Sequence, residues 1–508
     1  ISRLSVLAVL IVFLAACSKT SEYTNVIPAD ASVVASINLK SLASKAGLDD
    51  KENEAAKQKV LEALKSGMNA ATFQQLEKVM KNPGESGIDV ESPFYVFSSS
   101  SFPYPTVVGK VNNEDNLHAS LDVMAKEQIC QPISEADGYS FTTMNGGLLA
   151  FNNSTVLIVS GTTQTEKAKE AITNLLKQTA DNSIVKSGAF QKMEKQKSDI
   201  NFLASMEAIP ATYRNQISMG LPTEVKAEDI TLVGGLNFEK GKIALKTENY
   251  TENEAVKALI KKQMESFGKA NNTFVKYFPS STLMFFNVGV KGEGLYNLLS
   301  ENKEFRNTVS IAKADEVKEL FGSFNGDISA GLINVTMNSA PTFMMYADVK
   351  NGNALETIYK NKQSLGLKRG EDIIQLGKDE YVYKTKGMNI FFGIKDKQMY
   401  ATNDELLYKN VGKAADKSIK DAPYASDMKG KTIFVAINAE AILDLPVVKM
   451  VAGFGGQEVK TYIELANKVS YLSMSSEGEI SEIDLCLKDK DVNALKQIVD
   501  FAKQFAGM

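Results

Sequence analysis

The chain has 508 residues, more than one hydrophobic core supports and enough for two or three domains. Its composition, 44% hydrophobic and 23% charged, is that of an ordinary globular protein. The formal net charge of -4 and the sequence pI of about 5.6 argue against nucleic acid as a partner, because nucleic-acid-binding proteins carry a basic patch or stripe. Tryptophan is absent, and His118 is the only histidine.

Residues 1–16 have the features of a signal peptide. Arg3 precedes an apolar run from Leu4 to Leu14, which is too short to span a bilayer as a permanent helix. The run ends in Leu14-Ala15-Ala16-Cys17, which resembles the lipobox of bacterial lipoproteins. The resemblance implies cleavage before Cys17 and lipidation of its thiol and amine, and several acyl chains hold a protein stably on a membrane. An ordinary signal peptide that is cut elsewhere is the alternative.

A short polar stretch follows the apolar run. We expect residues 17–26 to form the lipidated cysteine and a polar tether that holds the folded part off the membrane. Position 18 is serine and not aspartate, so the lipobox resemblance implies sorting to the outer membrane, on its periplasmic face or at the cell surface. The chain begins with Ile1, so we expect the true start to lie upstream.

Two tandem stretches, residues 27–268 and 275–507, share one order of predicted elements. Each opens with a proline turn before an apolar strand, at Ile27-Pro28 in the first and at Phe278-Pro279 in the second. Paired strands, a helix, a hairpin, a second helix, a further strand and a closing hairpin and helix follow in both. We therefore predict an α+β fold of two tandem related modules from an internal duplication. Each would be a mainly antiparallel sheet with helices packed on one face.

Helix-start signals recur at matching places in the two predicted modules. Thr163-Gln164-Thr165-Glu166 and Thr402-Asn403-Asp404-Glu405 both have the spacing of a capping box. In that motif the threonine side chain accepts a hydrogen bond from the start of the helix, and the glutamate reaches back to the threonine backbone. The pattern predicts that Thr163 and Thr402 cap equivalent helices.

The lipobox, the tether, the run Ile27-Pro28-Ala29-Asp30-Ala31-Ser32-Val33-Val34 and the long duplicated body together resemble a known family. It is a family of uncharacterised outer-membrane lipoproteins from Bacteroidota-type Gram-negative bacteria, and the resemblance covers nearly the whole chain. The family has no established activity. The resemblance therefore implies a location in the envelope and adds no catalytic residue.

No residue set in the sequence predicts an active site, a metal site or a cofactor. The patterns Gly-x-Ser-x-Gly, Gly-x-Gly-x-x-Gly and Gly-x-x-x-x-Gly-Lys are absent. Ser-x-x-Lys occurs at Ser183–Lys186 and Ser300–Lys303, as expected by chance in a chain rich in both residues. His118 has no second histidine to share a metal, and we expect it to be partly exposed on a helix.

Two cysteines remain besides Cys17. Cys130 and Cys486 would meet an oxidising compartment, in which a disulfide persists. They could pair, or each could be buried as a small apolar side chain. The sequence leaves both possibilities open.

The most suggestive recognition feature is a predicted hairpin tip that carries Phe102 and Tyr104 between prolines. Exposed aromatic residues on a rigid loop often mark a partner-binding surface, although these two could also fold back over the core. Gly453-Phe454-Gly455-Gly456 is expected to be a flexible loop that could gate a cleft.

These observations predict a non-enzymatic cell-envelope lipoprotein that binds a protein or another envelope ligand through its module surfaces. One alternative is an envelope hydrolase or transferase that uses carboxylates or Ser/Lys residues, since carboxylate sites leave no local signature. Another is a glycan-binding lipoprotein, which the absence of tryptophan weakens. The ligand, the membrane face, the cysteine pairing and the oligomeric state are left open.

Overall fold

A computed structural model describes residues 22–48, 69–144, 146–161, 165–210, 225–301, 314–337, 339–350, 353–365 and 367–506, with the isolated positions 58, 62, 65, 212 and 305. Its contacts divide the chain into two compact units. Unit 1 comprises the chain up to Ile209 together with Thr231–Leu236, and unit 2 comprises Pro210–Ile230 and the chain from Asn237 onwards. Within the described ranges, no helix is both long and apolar enough to cross a membrane.

The sheet of unit 1 is antiparallel throughout its described pairs. Its strands are β1 (Ala31–Ile37), β2 (Phe94–Ser99), β3 (Thr106–Lys110), β4 (Ser134–Ala136), β5 (Tyr139–Met144), β6 (Gly147–Phe151), β7 (Thr155–Ser160), β8 (Ile200–Ser205) and β9 (Thr231–Glu239). Pairing gives the spatial order β4-β5-β6-β7-β3-β2-β1-β8-β9. The first strand of the chain therefore lies inside the sheet, where it is covered by neighbours on both edges.

The helices of unit 1 are short and begin at polar caps. They are α1 (Leu39–Lys45), α2 (Ala70–Lys81), α3 (Glu114–Lys126), α4 (Thr165–Leu176) and α5 (Gly188–Glu194). Asn38, Asn69, Asn113 and Ser187 accept backbone hydrogen bonds at the starts of α1, α2, α3 and α5. These side chains satisfy N–H groups that have no partner within a first helical turn.

More strands are described in unit 2 than in unit 1, and their described pairs are antiparallel as well. They are β10 (Lys242–Tyr250), β11 (Phe267–Gly268), β12 (Met284–Lys291), β13 (Phe324–Asn334), β14 (Thr342–Val349), β15 (Asp372–Gly377), β16 (Glu380–Lys384), β17 (Asn389–Lys395), β18 (Gln398–Thr402), β19 (Ile433–Asn438), β20 (Val469–Glu477) and β21 (Ile480–Leu487). Their order is β15-β16-β17-β18-β14-β13-β12-β19-β20-β21-β10, and the short β11 pairs with the end of β12.

The described helices of unit 2 lie between these strands and after the last of them. They are α6 (Glu254–Glu265), α7 (Gly292–Glu301), α8 (Ala314–Ser323), α9 (Asn353–Lys360), α10 (Glu405–Lys409), α11 (Ala439–Asp444), α12 (Pro446–Phe454), α13 (Gln457–Ala466) and α14 (Ala494–Ala506). Three of them follow one another directly between β19 and β20, namely α11, α12 and α13.

The nine strands of unit 1 and the first nine strands of the order in unit 2 follow one pattern. Replacing β1 by β12, β2 by β13 and so on to β9 by β20 converts one order into the other. The turns that open the two units are also held alike. Pro28 bridges Ser183 and Pro279 bridges Ser418. The amide of Ile184 donates to Ile27 O at 3.1 Å, and that of Ile419 donates to Phe278 O at 3.0 Å.

The division of the chain differs from the predicted module boundary at Gly268. Strand β10 pairs with β21 over seven residue pairs, from Lys242 with Cys486 to Glu248 with Ile480. This long-range ladder assigns β10 to unit 2, and α6 and β11 belong to the same unit. Sequence order cannot reveal such an assignment, because the hairpin at Lys240-Gly241 reads as the end of the first module.

Two local predictions also differ from the structure. The described part of the predicted tether, Glu22–Val26, is a 3-10 helix in which Tyr23 and Val26 are buried, so the fold begins before Ile27. Thr402 ends strand β18 and donates its hydroxyl to Phe343 O at 2.6 Å, so the predicted capping box at Thr402 is wrong. Asp404 caps α10 instead, by accepting from the amide of Leu407. Thr163, the matching predicted cap, lies outside the described residues.

Candidate ligand-binding surface

Strands β12, β19, β20, β21 and β10 of unit 2 have one sealed face and one half-exposed face. On the sealed face, Phe285, Phe434, Ala436, Tyr471 and Cys486 are all buried in one apolar cluster. Successive side chains of a strand point to opposite faces, so the residues between these belong to the other face. That face is apolar as well, although the surrounding chain does not bury it.

We call this half-exposed surface the open face. It consists of two rows of cross-strand neighbours, the first being Met284, Ile437, Leu472, Leu485 and Ile243, and the second being Phe286, Val435, Met474, Ile483 and Leu245. None of the ten residues is buried. Met284 is 44% exposed, Met474 is 48% exposed and Ile483 is 36% exposed. A continuous apolar surface of this kind is uncommon on a soluble protein unless something binds to it.

A cavity of about 320 Å³ lies among α11, α12 and α13. Its apolar lining comes from Leu443, Val448, Ala452 and Ile463, and its polar lining comes from Glu440, Asp444, Lys449, Asn467 and Lys488. Ser470 is buried near the start of β20 and donates to Glu440 of α11 at 2.6 Å. Helix α11 begins two residues after Ile437, and Asn467 and Lys488 of the cavity lie just beyond the ends of β20 and β21, so the cavity lies at this end of the open face.

The sealed face changes from apolar to charged where it reaches β21 and β10. Lys242 Nζ lies 3.2 Å from the Asp484 carboxylate and 3.7 Å from the Glu482 carboxylate. Glu482 also faces Lys246 and Lys431, each at 3.5 Å. Tyr471 donates to Asp427 at 2.6 Å. Alternating charges of this kind stabilise one another because each carboxylate has a lysine within ion-pair distance or a hydroxyl donor.

Burial and neighbouring charge move the pKa values of this cluster in opposite directions. Burial opposes ionisation of Glu482, but Lys246, Lys242 and Lys431 together lower its pKa. Burial raises the pKa of Asp484 despite the nearby Lys242. Burial also raises the pKa of the Cys486 thiol, so this cysteine is held as a thiol and not as the thiolate that nucleophilic chemistry requires.

The predicted partner-binding residues Phe102 and Tyr104 do not form an exposed tip. Phe102 is only 1% exposed, and its ring lies 6.3 Å from that of Phe97 and 5.3 Å from that of Tyr104. Its amide donates to the Ser99 hydroxyl at 3.2 Å. The interpretation that this hairpin folds back over the core therefore fits the structure, and direct contact of Phe102 with a partner does not. Cys17, the predicted lipidation site, lies outside the described residues.

His118 and the two remaining cysteines do not come together. His118 Nδ1 lies 3.3 Å from the Asp122 carboxylate one turn along α3, and its side chain is 44% exposed. Cys130 is buried in unit 1 and Cys486 is buried in unit 2, each as a free thiol. In the part of the chain that the structure describes, no group of three or more His, Cys, Asp or Glu residues could hold a metal ion.

The two Ser-x-x-Lys matches have structural surroundings where they are described. Ser183 is buried and donates its hydroxyl to Ile27 O at 3.0 Å, while Lys186 pairs with Asp181. Ser300 donates to Tyr296 O within α7, and Lys303 lies outside the described residues. Ser183 therefore helps to hold the opening turn of unit 1.

The sequence patterns single out none of the open face. On β12, β19 and β20 its residues alternate with buried ones, which is the pattern expected of a covered strand. On β21 and β10 they alternate mainly with charged residues such as Glu482 and Lys242, which is the pattern of a strand with one face in solvent. Only the exposure of the two rows in the folded chain distinguishes these residues from core residues. The sequence predicts Phe454 as part of a flexible loop, whereas the structure places it at the end of helix α12.

These features define a protein of the α+β class that is built on antiparallel sheets and has a half-exposed apolar face in its second unit. The chain belongs to the family described as a domain of unknown function, DUF4836, which matches residues 23–495. No curated protein matches the chain.

Solved structures offer only distant likenesses. Crystal form IV of TP0453 has a TM-score of 0.26 and 9% identity, and the match covers 44% of this chain and 79% of that one. Crystal form I of TP0453 has a TM-score of 0.25 and 9% identity, with 49% and 88% covered. Likenesses at this level carry no argument about the fold or the function of this chain.

Proposed function

We propose that this chain is a non-catalytic lipoprotein of the outer membrane, held there by lipid on Cys17, whose unit 2 binds an amphiphile with a hydrocarbon chain. The observation that carries this proposal is the open face. Its two rows of apolar side chains cross five strands without a buried residue, while residues on the other face of β12, β19 and β20 are sealed in the core. The lipobox pattern around Cys17 supports the location.

The dimensions of the open face suit an extended hydrocarbon chain. Five strands at the usual spacing give a track about 19 Å long, and two residue positions along each strand make it about 7 Å wide. Met284, Met474 and Phe286 contribute to its surface. Methionine side chains are unbranched and adaptable, which suits contact with an apolar chain of irregular shape. A long, narrow and apolar track of this shape favours a chain-like ligand over a flat protein surface.

Polar groups are available where the ligand's headgroup would be placed. The cavity at the end of the open face is lined by Lys449 and Lys488 besides its apolar side chains. Lys449 pairs with Asp444 at 3.1 Å. Ligand sites are commonly apolar with a small number of polar groups that fix orientation. The arrangement supports an amphiphile whose chain lies on the open face and whose headgroup lies near the two lysines.

We further propose that the chain arose by internal duplication. The common strand order supports this, and so do the paired bridges of Pro28 with Ser183 and of Pro279 with Ser418. A bridge between an opening turn and a distant 3-10 helix is not required by the strand order. Its presence in both units is therefore an independent resemblance between them.

The proposal is tested by binding a fluorescent fatty acid, cis-parinaric acid, to the purified full-length protein. We expect saturable binding that Met474→Asp and Ile483→Asp each weaken by roughly tenfold, because a carboxylate would lose its water against the hydrocarbon chain. Leu406→Asp is the matched control, since Leu406 is 69% exposed on α10 and outside the open face. Far-UV circular dichroism verifies that each variant is folded.

Two outcomes would contradict the proposed ligand. The unaltered protein could show no saturable binding, or the three variants could bind the probe equally well. In either case the protein-partner hypothesis is tested next, with a photo-activated cross-linker at position 474 in intact cells. A single cross-linked envelope protein that disappears when the cross-linker is moved to position 406 would replace the amphiphile by a protein partner.

A further inference from the structure

Helices α12 and α13 of unit 2 form an apolar hairpin that the rest of the unit leaves uncovered. The sequence of α12 is Pro-Val-Val-Lys-Met-Val-Ala-Gly-Phe, with Lys449 as its only charged residue, and none of its residues is buried. Val451 is 53% exposed and Phe454 is 88% exposed, the largest exposed fraction among the described large apolar residues. Because none of its residues is buried, α12 removes little apolar surface from water when the chain folds. Its apolar surface is therefore available to a partner.

The connection between the two helices keeps Phe454 on the outside. Gly455 follows directly, and a Cβ at this position would lie 2.5 Å from Val459 Cβ, which is closer than side chains approach. The close turn therefore requires glycine here. On α13, Tyr462 is 69% exposed and Leu465 is 47% exposed. Three apolar residues of α12 and two of α13, namely Met450, Val451, Phe454, Tyr462 and Leu465, make up the exposed patch of the hairpin.

We propose that this apolar hairpin inserts into the surface of a lipid bilayer. The inference rests on the envelope location proposed above. Cys17 lies five residues before Glu22, the first residue that the structure describes. An extended segment of that length spans at most about 18 Å, so a lipid on Cys17 would hold the folded chain against a bilayer. A bilayer is then the apolar phase that the protein meets continuously.

The composition and size of the patch favour a bilayer over a second protein. Tyr462 combines an apolar ring with a polar hydroxyl, as aromatic residues at a membrane interface do. Lys460 is exposed on α13 and can extend its ammonium group toward headgroups while its stem stays in apolar contact. Five exposed side chains are far fewer than the roughly 20–30 residues that each partner contributes to a stable protein interface. The nine-residue α12 is about 14 Å long, which suits a position in the interface and not across the membrane.

The absence of tryptophan from the chain permits a direct test. Phe454→Trp places a single tryptophan at the proposed insertion point, and Leu406→Trp places one at a comparably exposed position on α10. Both full-length proteins are mixed with vesicles of phosphatidylethanolamine and phosphatidylglycerol, with and without bromine-labelled acyl chains. We expect a blue shift and loss of roughly half of the emission from the Phe454→Trp protein, and little change in the Leu406→Trp protein, because only a buried ring meets the bromines. Tyr462→Trp should behave as Phe454→Trp does.

Flotation of the vesicles measures the lipid anchor separately from the hairpin. If the Phe454→Trp protein floats but is quenched no more than the Leu406→Trp protein, the insertion is overturned and the anchor is left intact. A second variant combines Cys17→Ser with Phe454→Trp and so removes the lipid anchor. If this protein needs more lipid for flotation but its tryptophan is still quenched, the insertion is supported independently of the anchor.

Two further outcomes would contradict the proposal. The emission of the Phe454→Trp protein could shift to the blue with rising protein concentration and without vesicles. That result would overturn insertion into a bilayer and would show that a second copy of the chain covers the hairpin. Protein that neither floats nor is quenched would overturn both the insertion and the lipid anchor.

Discussion

Units 1 and 2 share a strand order and differ in the type of polar contact that two of their carboxylates make and in how exposed their most exposed apolar side chains are. In unit 1, Asp30 accepts hydrogen bonds from Ser99, Ser100 and Ser101 and so ties the opening turn to the β2–β3 hairpin. In unit 2, an ionic cluster of Lys242, Lys246 and Lys431 around Glu482 links β21 to β10 and to the residues before β19. Features present in both units belong to the architecture, so a function is better sought in features of one unit.

Half-exposed apolar surface occurs in both units, but the most exposed apolar side chains among the described residues lie in unit 2. In unit 2, Met474 and Ile483 of the open face and Phe454 of the apolar hairpin are exposed together with their neighbours. In unit 1, β7, β3, β2, β1 and β8 also carry a row of cross-strand neighbours of which none is buried, namely Ile158, Val107, Val96, Ala35 and Phe202, and Ile158 is 40% exposed. Residues 213–224, which occupy the stretch that corresponds to α12 and α13 in chain order, lie outside the described residues. Among the described residues, the greater exposure of apolar side chains in unit 2 therefore makes that unit the place where a function is best sought.

The largest expected contrast between the units is the loss of stability when a phenylalanine is replaced, at position 102 in unit 1 and at position 454 in unit 2. Phe102→Ala should lower the free energy of unfolding by about 3–5 kcal/mol, because it leaves a cavity beside Phe97 and Tyr104. Phe454→Ala should change it by no more than about 0.5 kcal/mol, since the ring is already in solvent. Urea unfolding followed by far-UV circular dichroism measures both. Equal losses for the two variants would show that Phe454 is covered in solution.

The same pair of residues shows how far sequence reasoning reaches. Both phenylalanines lie in turn-rich sequences with small neighbours, and local sequence does not tell a ring that folds inward from one that points outward. The Ser99 hydroxyl and Asp30 bind the 99–102 backbone, and the contact with Asp30 spans about seventy residues of sequence. Gly455 faces Val459 and leaves Phe454 outside. Contacts made only in the folded chain decide exposure, and the sequence does not show them.

The order of elements was predictable because it depends on local signals. Proline turns before apolar strands predict β1 and β12, and the structure confirms both strands. The assignment of β10 to unit 2 depends on its ladder with β21, which joins residues more than two hundred positions apart. Alternating apolar strands predict a sheet, but they do not reveal which of its faces the chain leaves open.

The two opening turns, which are held by equivalent backbone hydrogen bonds, give a matched pair of predictions with stability losses of intermediate size. Ile184 is 4% exposed and Ile419 is 0% exposed, and each donates its amide to the residue before the opening proline. Ile184→Ala and Ile419→Ala should each cost about 2–5 kcal/mol, because both remove a buried side chain at an equivalent position. Leu48→Ala, at a residue 45% exposed, is the control, and urea unfolding measures all three. A loss in only one of the two variants would mean that the equivalent buried isoleucine stabilises one unit and not the other.

Asp30 in unit 1 and Glu482 in unit 2 are the two polar anchors, and replacing them gives the smallest expected losses of stability. The two carboxylates differ in how they stabilise the fold. Burial opposes ionisation of Asp30, yet the serine donors hold its pKa at about 2, below the ordinary value of 3.8. A depressed carboxylate pKa stabilises the folded state above the unfolded pKa, and this contribution is lost as the pH falls from about 4 to about 2. Asp30→Asn should therefore cost about 1 kcal/mol near neutral pH, a value reduced for solvent exposure, and nothing at about pH 2.

Glu482→Gln should cost a similar amount, about 1 kcal/mol, but with a different dependence on salt. Lysines lower the pKa of Glu482, whereas neutral hydroxyl and amide donors bind Asp30. Raising the salt from about 0.05 M to about 1 M shortens the screening length several-fold, so the cost of Glu482→Gln should shrink while that of Asp30→Asn stays constant. Urea unfolding of both variants and the unaltered protein at each salt concentration measures this. Parallel salt dependence would mean that both carboxylates act through long-range charge, and the distinction between a hydrogen-bonded anchor in unit 1 and an ionic one in unit 2 would be lost.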